Sequence, residues 1–373
     1  MRWLAVVCVG CRFNFSVVED AQASLHPVSG DARDCSVQSF ATGDEPVALA
    51  IADLDLDGRL DLAVANFAAN TISLLRGKGD GTFYPRIDAA SGLTPVAVAV
   101  ADIDRSGVPD IVVPNDNDAS ASVLLGVGDL TFSRSDHTTQ TGSHWVDIGD
   151  LDGDGALDVA VSNSNAASVS VLRGGGDGSF GTAVNYAAGT NAVAVVIAAL
   201  DGDRFQDLAV ANLASNTLSV LLNRGDGTFQ PRVEFSTGVT PNSITVTDLN
   251  GDSRRDLVLA NLNGASVSVL LGNGDGSFAT RVEYPTGVGP TLATVAEVTG
   301  DQHLDVITSN RYADSISILP GNGDGTLAAK MDLSVVGSPH AVAVADVDRD
   351  SRPDLIVANR EIDMVTVLRG VCR

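Results

Sequence analysis

A nine-residue acidic pattern begins at residues 53, 102, 150, 199, 248, 297 and 346, at spacings of 49, 48, 49, 49, 49 and 49. Seven copies at so even an interval constrain the fold more than composition does, because a unit this short cannot bury an apolar face alone and must stack on its neighbours. Each copy sits in the same frame. In the first, an alternating apolar stretch (PVALAIA, 46–52) runs into the acidic loop (DLDLDGRLD, 53–61), and a short run ends in Asn (DLAVAN, 61–66). A third run (TISLLRG, 71–77), a Gly-Asp-Gly turn and a run opening on an aromatic (FYPRIDA, 83–89) complete the unit. Four short β-patterned segments bounded by Gly, Asn and Asp, at 40 to 50 residues per unit and with no helical period, are the pattern of a propeller blade. The expected fold is an all-β, seven-bladed β-propeller of four-stranded blades.

The first segment alternates bulky residues, Leu49 and Ile51 or Val98 and Val100, with small ones, Ala50 and Ala52 or Ala99 and Ala101. A ridged face and a flat face can interlock from blade to blade. The seventh unit stops at residues 370–373, before its fourth strand, while residues 36–43 (SVQSFATG) precede Pro46 as fourth strands precede the next unit elsewhere. The amino-terminal strand is therefore expected to complete the last blade. In that register Cys35 and Cys372 flank one hairpin turn, and a disulfide between them is expected. The propeller takes residues 35–373, and residues 1–34 are read as a leader or disordered segment.

The acidic loops follow D-x-D-x-D-G-x-x-D, with side-chain oxygens at positions 1, 3, 5 and 9, a backbone carbonyl at position 7 and Gly at the sharp turn. Hard oxygens at this density suit Ca²⁺. Unit one is complete with Asp53, Asp55, Asp57 and Asp61, unit three with Asp150, Asp152, Asp154 and Asp158, and unit seven with Asp346, Asp348, Asp350 and Asp354. Unit five has Asp248, Asn250, Asp252 and Asp256, and unit two has Asp102, Asp104, Ser106 and Asp110. Unit four keeps Asp201, Asp203 and Asp207 beside Ala199, and unit six keeps Glu297, Asp301 and Asp305 beside Thr299. Up to seven calcium ions are expected, bound most strongly in units one, three and seven. An EF-hand does not fit, because position 12 of the first loop is Val64 and the flanks are strands.

Charge agrees with a metal. The chain carries 47 Asp plus Glu against 23 Lys plus Arg, a formal net charge of −24, and the loop carboxylates are about half of its acids. Such a balance argues against a nucleic-acid partner, which needs clustered cations. No apolar run approaches the roughly 18 residues needed for a membrane-spanning helix. A short apolar run at 3–10 follows Arg2, and Ala21-Gln22-Ala23 has the form of a cleavage site. With calcium loops of modest affinity, this points to a secreted or cell-surface protein, expected as a monomer.

The acidic nonapeptide, the Asn that follows it (Asn66, Asn115, Asn163, Asn212, Asn261, Asn310, Asn359) and the Gly-Asp-Gly-Thr/Ser-Phe turn, as in GDGTF at 79–83, resemble FG-GAP repeats of the VCBS type. These build the propeller of integrin α subunits and occur in many secreted bacterial proteins. The resemblance implies calcium between first and second strands on one face and ligands on the opposite face. Unit two departs from the pattern at Asp129-Leu130, and unit six ends its turn in Leu327. The seven Asn are read as loop-capping side chains.

The face away from the loops collects the connections before each first strand and between second and third strands. His144, Trp145, Asn242, Tyr312, His340 and Arg360 stand there, as do Phe67, Asn70, Asp116, Asn117, Asp118, Arg311, Glu361 and Asp363. Such a set suits a carbohydrate or protein ligand. Trp145 has two readings, ligand contact and local repacking in a unit one residue short. The tripeptide Arg224-Gly225-Asp226 arises from Arg preceding the repeated Gly-Asp-Gly and is read as coincidence. There is no Gly-x-Ser-x-Gly elbow, no P-loop Lys and no His cluster, so a binding or adhesion module is expected rather than an enzyme. The alternative is a polysaccharide hydrolase or lyase, for which Asp147 with Asp116 or Asp118 is the one carboxylate pairing available.

Overall fold

The computed structural model describes residues 37–370 and the backbone of residues 7–8. Seven antiparallel sheets follow one another around a ring. Blade one is built from Pro46–Ala52, Asp61–Asn66, Thr71–Leu75 and Ile87–Ala90, in that order from the channel outwards, and the other blades repeat it. The backbone at Val7–Cys8 pairs with Ile51 and Ala50, adding a short fifth strand to blade one.

The ring closes as the sequence implies. Val37–Ala41 lies antiparallel to Met364–Leu368 and forms the outer strand of blade seven. Cys35 and Cys372, and most of the segment read as a leader, lie outside the described residues.

Interlocking faces hold the blades together. Leu49 and Ile51 of blade one pack on Ala341 and Ala343 of blade seven, and on its other side Ala50 and Ala52 meet Val98 and Val100 of blade two. Bulky side chains thus enter the flat face of the preceding blade, and first and second strands are buried almost throughout. Near the rim, edge-to-face aromatic pairs bridge blades at four of the seven junctions: Phe40 with Phe83, His137 with Phe180, Tyr186 with Phe229 and Phe235 with Phe278. Centroid separations of 5.0–5.4 Å place them in the range where such pairs add to area burial.

The two departures from the repeat stay local. Leu327 makes the same backbone bridge to Gly321 that Phe83 makes to Gly77. Asp129 and Leu130 both take positive φ, and the hairpin continues into a longer outer strand, Phe132–Thr138.

Candidate metal centres

First strands run toward one end of the ring, so all seven acidic loops emerge on that face. Loop one shows how the sequence shapes them. Asp53 Oδ2 accepts the Gly58 N–H at 2.8 Å, Asp55 Oδ1 that of Asp57 at 3.1 Å, and Asp57 Oδ1 that of Arg59 at 2.9 Å. Each carboxylate spends one oxygen on winding the backbone around the site. The spare Oδ1 of Asp53 is buried without a hydrogen-bond partner.

Carboxylate oxygens of Asp53, Asp55 and Asp57 lie within 4.8 Å of one another, as do those of Asp102, Asp104 and Asp110, of Asp150, Asp152 and Asp158, and of Asp346, Asp348 and Asp354. An all-oxygen donor set with an orphaned inward oxygen fits a hard cation such as Ca²⁺. These four groupings include the three loops with complete quartets and add unit two. The remaining loops carry three carboxylates each, and unit five winds as unit seven does, where Arg352 holds Asp350 in the same way. In unit five, Arg254 holds Asp252 with Nη2 at 2.5 Å and Nε at 3.0 Å, and Asn250 donates to it at 3.0 Å. In unit six, Glu297 accepts the N–H groups of Gly300 and Asp301. In unit four, Asp201 and Asp203 accept the N–H groups of Asp203 and Phe205 beside Ala199.

The ninth-position Asp has a second task. Asp61, Asp110, Asp158, Asp207, Asp256, Asp305 and Asp354 are all fully buried. Asp61 Oδ2 accepts the Leu54 N–H at 2.9 Å and Oδ1 the Gly77 N–H at 2.7 Å, tying the acidic loop to the end of the third strand. The same two bonds recur in every blade, for example Leu200 and Asn223 on Asp207 and Val347 and Gly370 on Asp354. This role was available in the sequence, since position 9 alone is Asp in all seven units while positions 1, 3 and 5 vary. Burial pushes Asp61 up to about 7 and Asp110, Asp158 and Asp207 up to about 6, against the pull of their N–H partners. Neighbouring loop carboxylates push in the same direction, and a bound divalent cation would reverse that push.

Turn aspartates are separate from the loops. Asp80 takes both the N–H and the hydroxyl of Thr82, and Asp177, Asp226, Asp275 and Asp324 repeat this. Asp226 of the Arg-Gly-Asp tripeptide is therefore engaged like its four counterparts.

At the opposite end the seven Asn are all fully buried. Asn212 Nδ2 donates to Thr217 Oγ1 at 3.0 Å and Ser219 Oγ at 2.9 Å, while its Oδ1 accepts the Gly189 N–H at 2.9 Å. They cap loops, as expected from the sequence. Asn70, Asp118 and Asp363 accept the N–H groups of Thr94, Leu93 and Glu45, and so fasten the connections between blades.

His144, Asn242 and His340 occupy equivalent bulge positions on first strands. Each reaches the carbonyl of its counterpart in the next blade: His144 Nδ1 to Val193 at 2.8 Å, Asn242 Nδ2 to Thr291 at 2.8 Å, and His340 Nδ1 to Val47 at 2.8 Å. Thr291 Oγ1 likewise meets the His340 carbonyl at 2.6 Å. Protein surrounds both imidazoles even though solvent reaches part of each ring from the channel. Burial drives His340 down to about 3, with Arg360, Arg311 and His144 adding to the effect, and lowers His144 as well. Trp145 is 6 % exposed within the core, which matches its packing reading. Asp147 is 1 % exposed and accepts the N–H groups of Ile148 and Ile197, at 2.9 and 2.7 Å. It is not paired with Asp116 or Asp118 on an open surface.

Tyr312 and Arg360 remain on the surface of this face. Tyr312 is 59 % exposed, with Arg311 over its ring at 5.4 Å. Arg360 binds Glu45 at 2.6 Å and lies over Phe67 at 5.0 Å. Val288, Val336 and Ile362 are exposed in the same two blades. No helix among the described residues is long and apolar enough to cross a membrane.

Comparison with solved structures shows the fold at low identity. BBS1N, crystallised in complex with ARL6DN, superposes with a TM-score of 0.65 at 11 % identity, covering 91 % of this chain and 98 % of that one. An Agrocybe aegerita lectin that recognises non-reducing terminal N-acetylglucosamine gives 0.54 at 18 % identity, covering 88 % and 96 %. A catalytically inactive virginiamycin B lyase from Staphylococcus aureus, with quinupristin, gives 0.60 at 13 % identity, covering 89 % and 98 %. No curated protein matches the sequence. The FG-GAP-like repeat model matches six times, at residues 53–113, 107–161, 150–210, 200–259, 248–308 and 297–357, and the chain belongs to that family.

Proposed function

We propose that the protein is an extracellular binding module, a propeller stiffened by calcium on one face that presents a carbohydrate site on the other. The observation that carries this reading is the division of labour between the two ends. One gathers carboxylates around an orphaned buried oxygen, and the other leaves an aromatic ring, Tyr312, exposed beside Arg311, with three apolar side chains exposed in the same two blades. A flat aromatic surface with adjacent guanidinium donors suits a sugar ring, whose C–H face stacks while its hydroxyls accept hydrogen bonds. The lectin among the structural neighbours supports the carbohydrate class through shared architecture alone.

The test is a glycan array probed with calcium-loaded protein and with protein held in chelator, followed by Tyr312→Ala. Calcium-dependent binding lost in the variant supports the proposal. Absence of any glycan signal, with the fold intact, would turn it toward a protein ligand.

A further inference from the structure

One residue precedes the backbone N–H that the ninth-position Asp holds at the end of the third strand. At that place units one, three and seven carry Arg76, Arg173 and Arg369, whereas units two, four, five and six carry Leu125, Leu222, Leu271 and Pro320. The division coincides with the acid count of the loops. Arginine stands where the loop has four carboxylates and an uncharged residue where it has three.

Geometry turns the coincidence into contact. Arg76 Nε lies 2.5 Å from Asp55 Oδ2, with Nη2 3.0 Å from Asp57 Oδ2. Arg173 Nη1 lies 3.6 Å from Asp152 Oδ2, and Arg369 Nε 3.9 Å from Asp348 Oδ2. All three reach the position-3 carboxylate of their own loop. Arg173 Nη2 also donates to the Asp226 carbonyl in the next blade's turn at 2.6 Å, which anchors its head from a second side. Loop-borne arginines do not follow this division: Arg59, Arg254 and Arg352 pair with position-5 carboxylates in loops of both kinds.

We propose that Arg76, Arg173 and Arg369 are built-in counter-cations that equalise the calcium loops. With a divalent ion bound and every carboxylate ionised, a three-carboxylate loop retains one negative charge and a four-carboxylate loop two. One arginine removes that difference. The guanidinium is attracted more strongly to the metal-free loop than to the loaded one, so it stabilises the former more and lowers calcium affinity. Each arginine thus tunes its quartet loop toward the behaviour of its neighbours.

This rests on the calcium reading, and the wild type separates the two. The experiment is a calorimetric calcium titration of the full chain, alongside melting in chelator, for wild type, the R76L/R173L/R369L variant and the corresponding triple Lys variant. The Leu variant is expected to melt lower in chelator and to bind calcium tighter at three sites, by roughly three- to tenfold each at low salt, with the gain shrinking at high salt. The Lys variant stays near wild type. Leu125→Arg supplies the converse, exchanging the apolar packing of Leu125 for a guanidinium, and weakens calcium binding at loop two by a similar factor. Unchanged or weaker calcium binding in the Leu variant, or no effect of Leu125→Arg, would overturn the proposal. Absence of calcium uptake by the wild type would overturn the calcium reading with it.

Discussion

The two ends of the ring both bury polar side chains where inner strands turn, yet they satisfy them differently. At the Asn end, an amide, two hydroxyls and a backbone N–H close on one another, as in Asn212 with Thr217, Ser219 and Gly189. At the acidic end, carboxylates converge on one another, and in loop one donors from the chain reach the other oxygens but leave Asp53 Oδ1 buried and unpartnered. The first draws its donors and acceptors from the chain, with a buried Oδ1 left over at Asn66, Asn261 and Asn359, whereas the second gathers like charges that a cation would neutralise. Stability contributed by the Asn end should therefore be indifferent to metal, and that of the acidic end should depend on it.

The sharpest break in this contrast is Asn212→Ala. It strands the buried Ser219 hydroxyl and the Gly189 N–H, while Thr217 keeps its bond to Ser215, and is expected to cost about 2–4 kcal/mol in denaturant unfolding, equally with calcium or chelator. A cost that changes with calcium would show that the ends are coupled.

A pH series probes the acidic end itself. Asp61 at about 7 and Asp110, Asp158 and Asp207 at about 6 stand above the ordinary carboxylate value. The folded state then keeps protons that the unfolded chain releases, so in chelator these groups reduce stability as pH rises from about 4 to 7. Calcium should abolish that fall, and melting curves across the range with and without calcium will show whether it does. His340 has the opposite sign: lowered to about 3, it adds stability that is present above about pH 6.5 and is lost as pH falls toward 3. His340→Val, the residue that its counterparts Val47 and Val193 already use, should remove part of the acid-side loss at a cost of about 1 kcal/mol at neutral pH.

Tyr312→Ala is expected to have the smallest effect on stability, within about 0.5 kcal/mol, because the ring is more than half exposed. Its effect should appear in glycan binding. A marked loss of stability would place Tyr312 among the packing residues with Trp145.

Most of the architecture was legible in the sequence because the repeat states it seven times. Strand number, the alternation of Leu49 and Ile51 with small residues, closure by residues 37–41 and the capping Asn all follow from period and polarity. The quartet loops were legible for the same reason. What the repeat hid was how side chains share work. The ninth Asp looked like one more metal ligand; its presence in all seven units set it apart, and the fold shows the two backbone bonds behind that. His144 and His340 read as ligand-face residues because loop position indicates which end of the ring a residue occupies. It does not indicate whether the side chain points outward or, as here, sideways to a carbonyl of the next blade. Arg76, Arg173 and Arg369 lie about 20 residues from the carboxylates they meet, a separation that no local pattern marks.

The central claim is that the acidic end is completed by calcium, and thermal unfolding in saturating calcium against excess chelator tests it most directly. With ligand about a hundredfold above Kd, each filled site adds about 2.7 kcal/mol, so the four carboxylate groupings together predict a rise in melting temperature of about 10 °C or more. Superimposable melting curves in calcium and chelator would contradict the account.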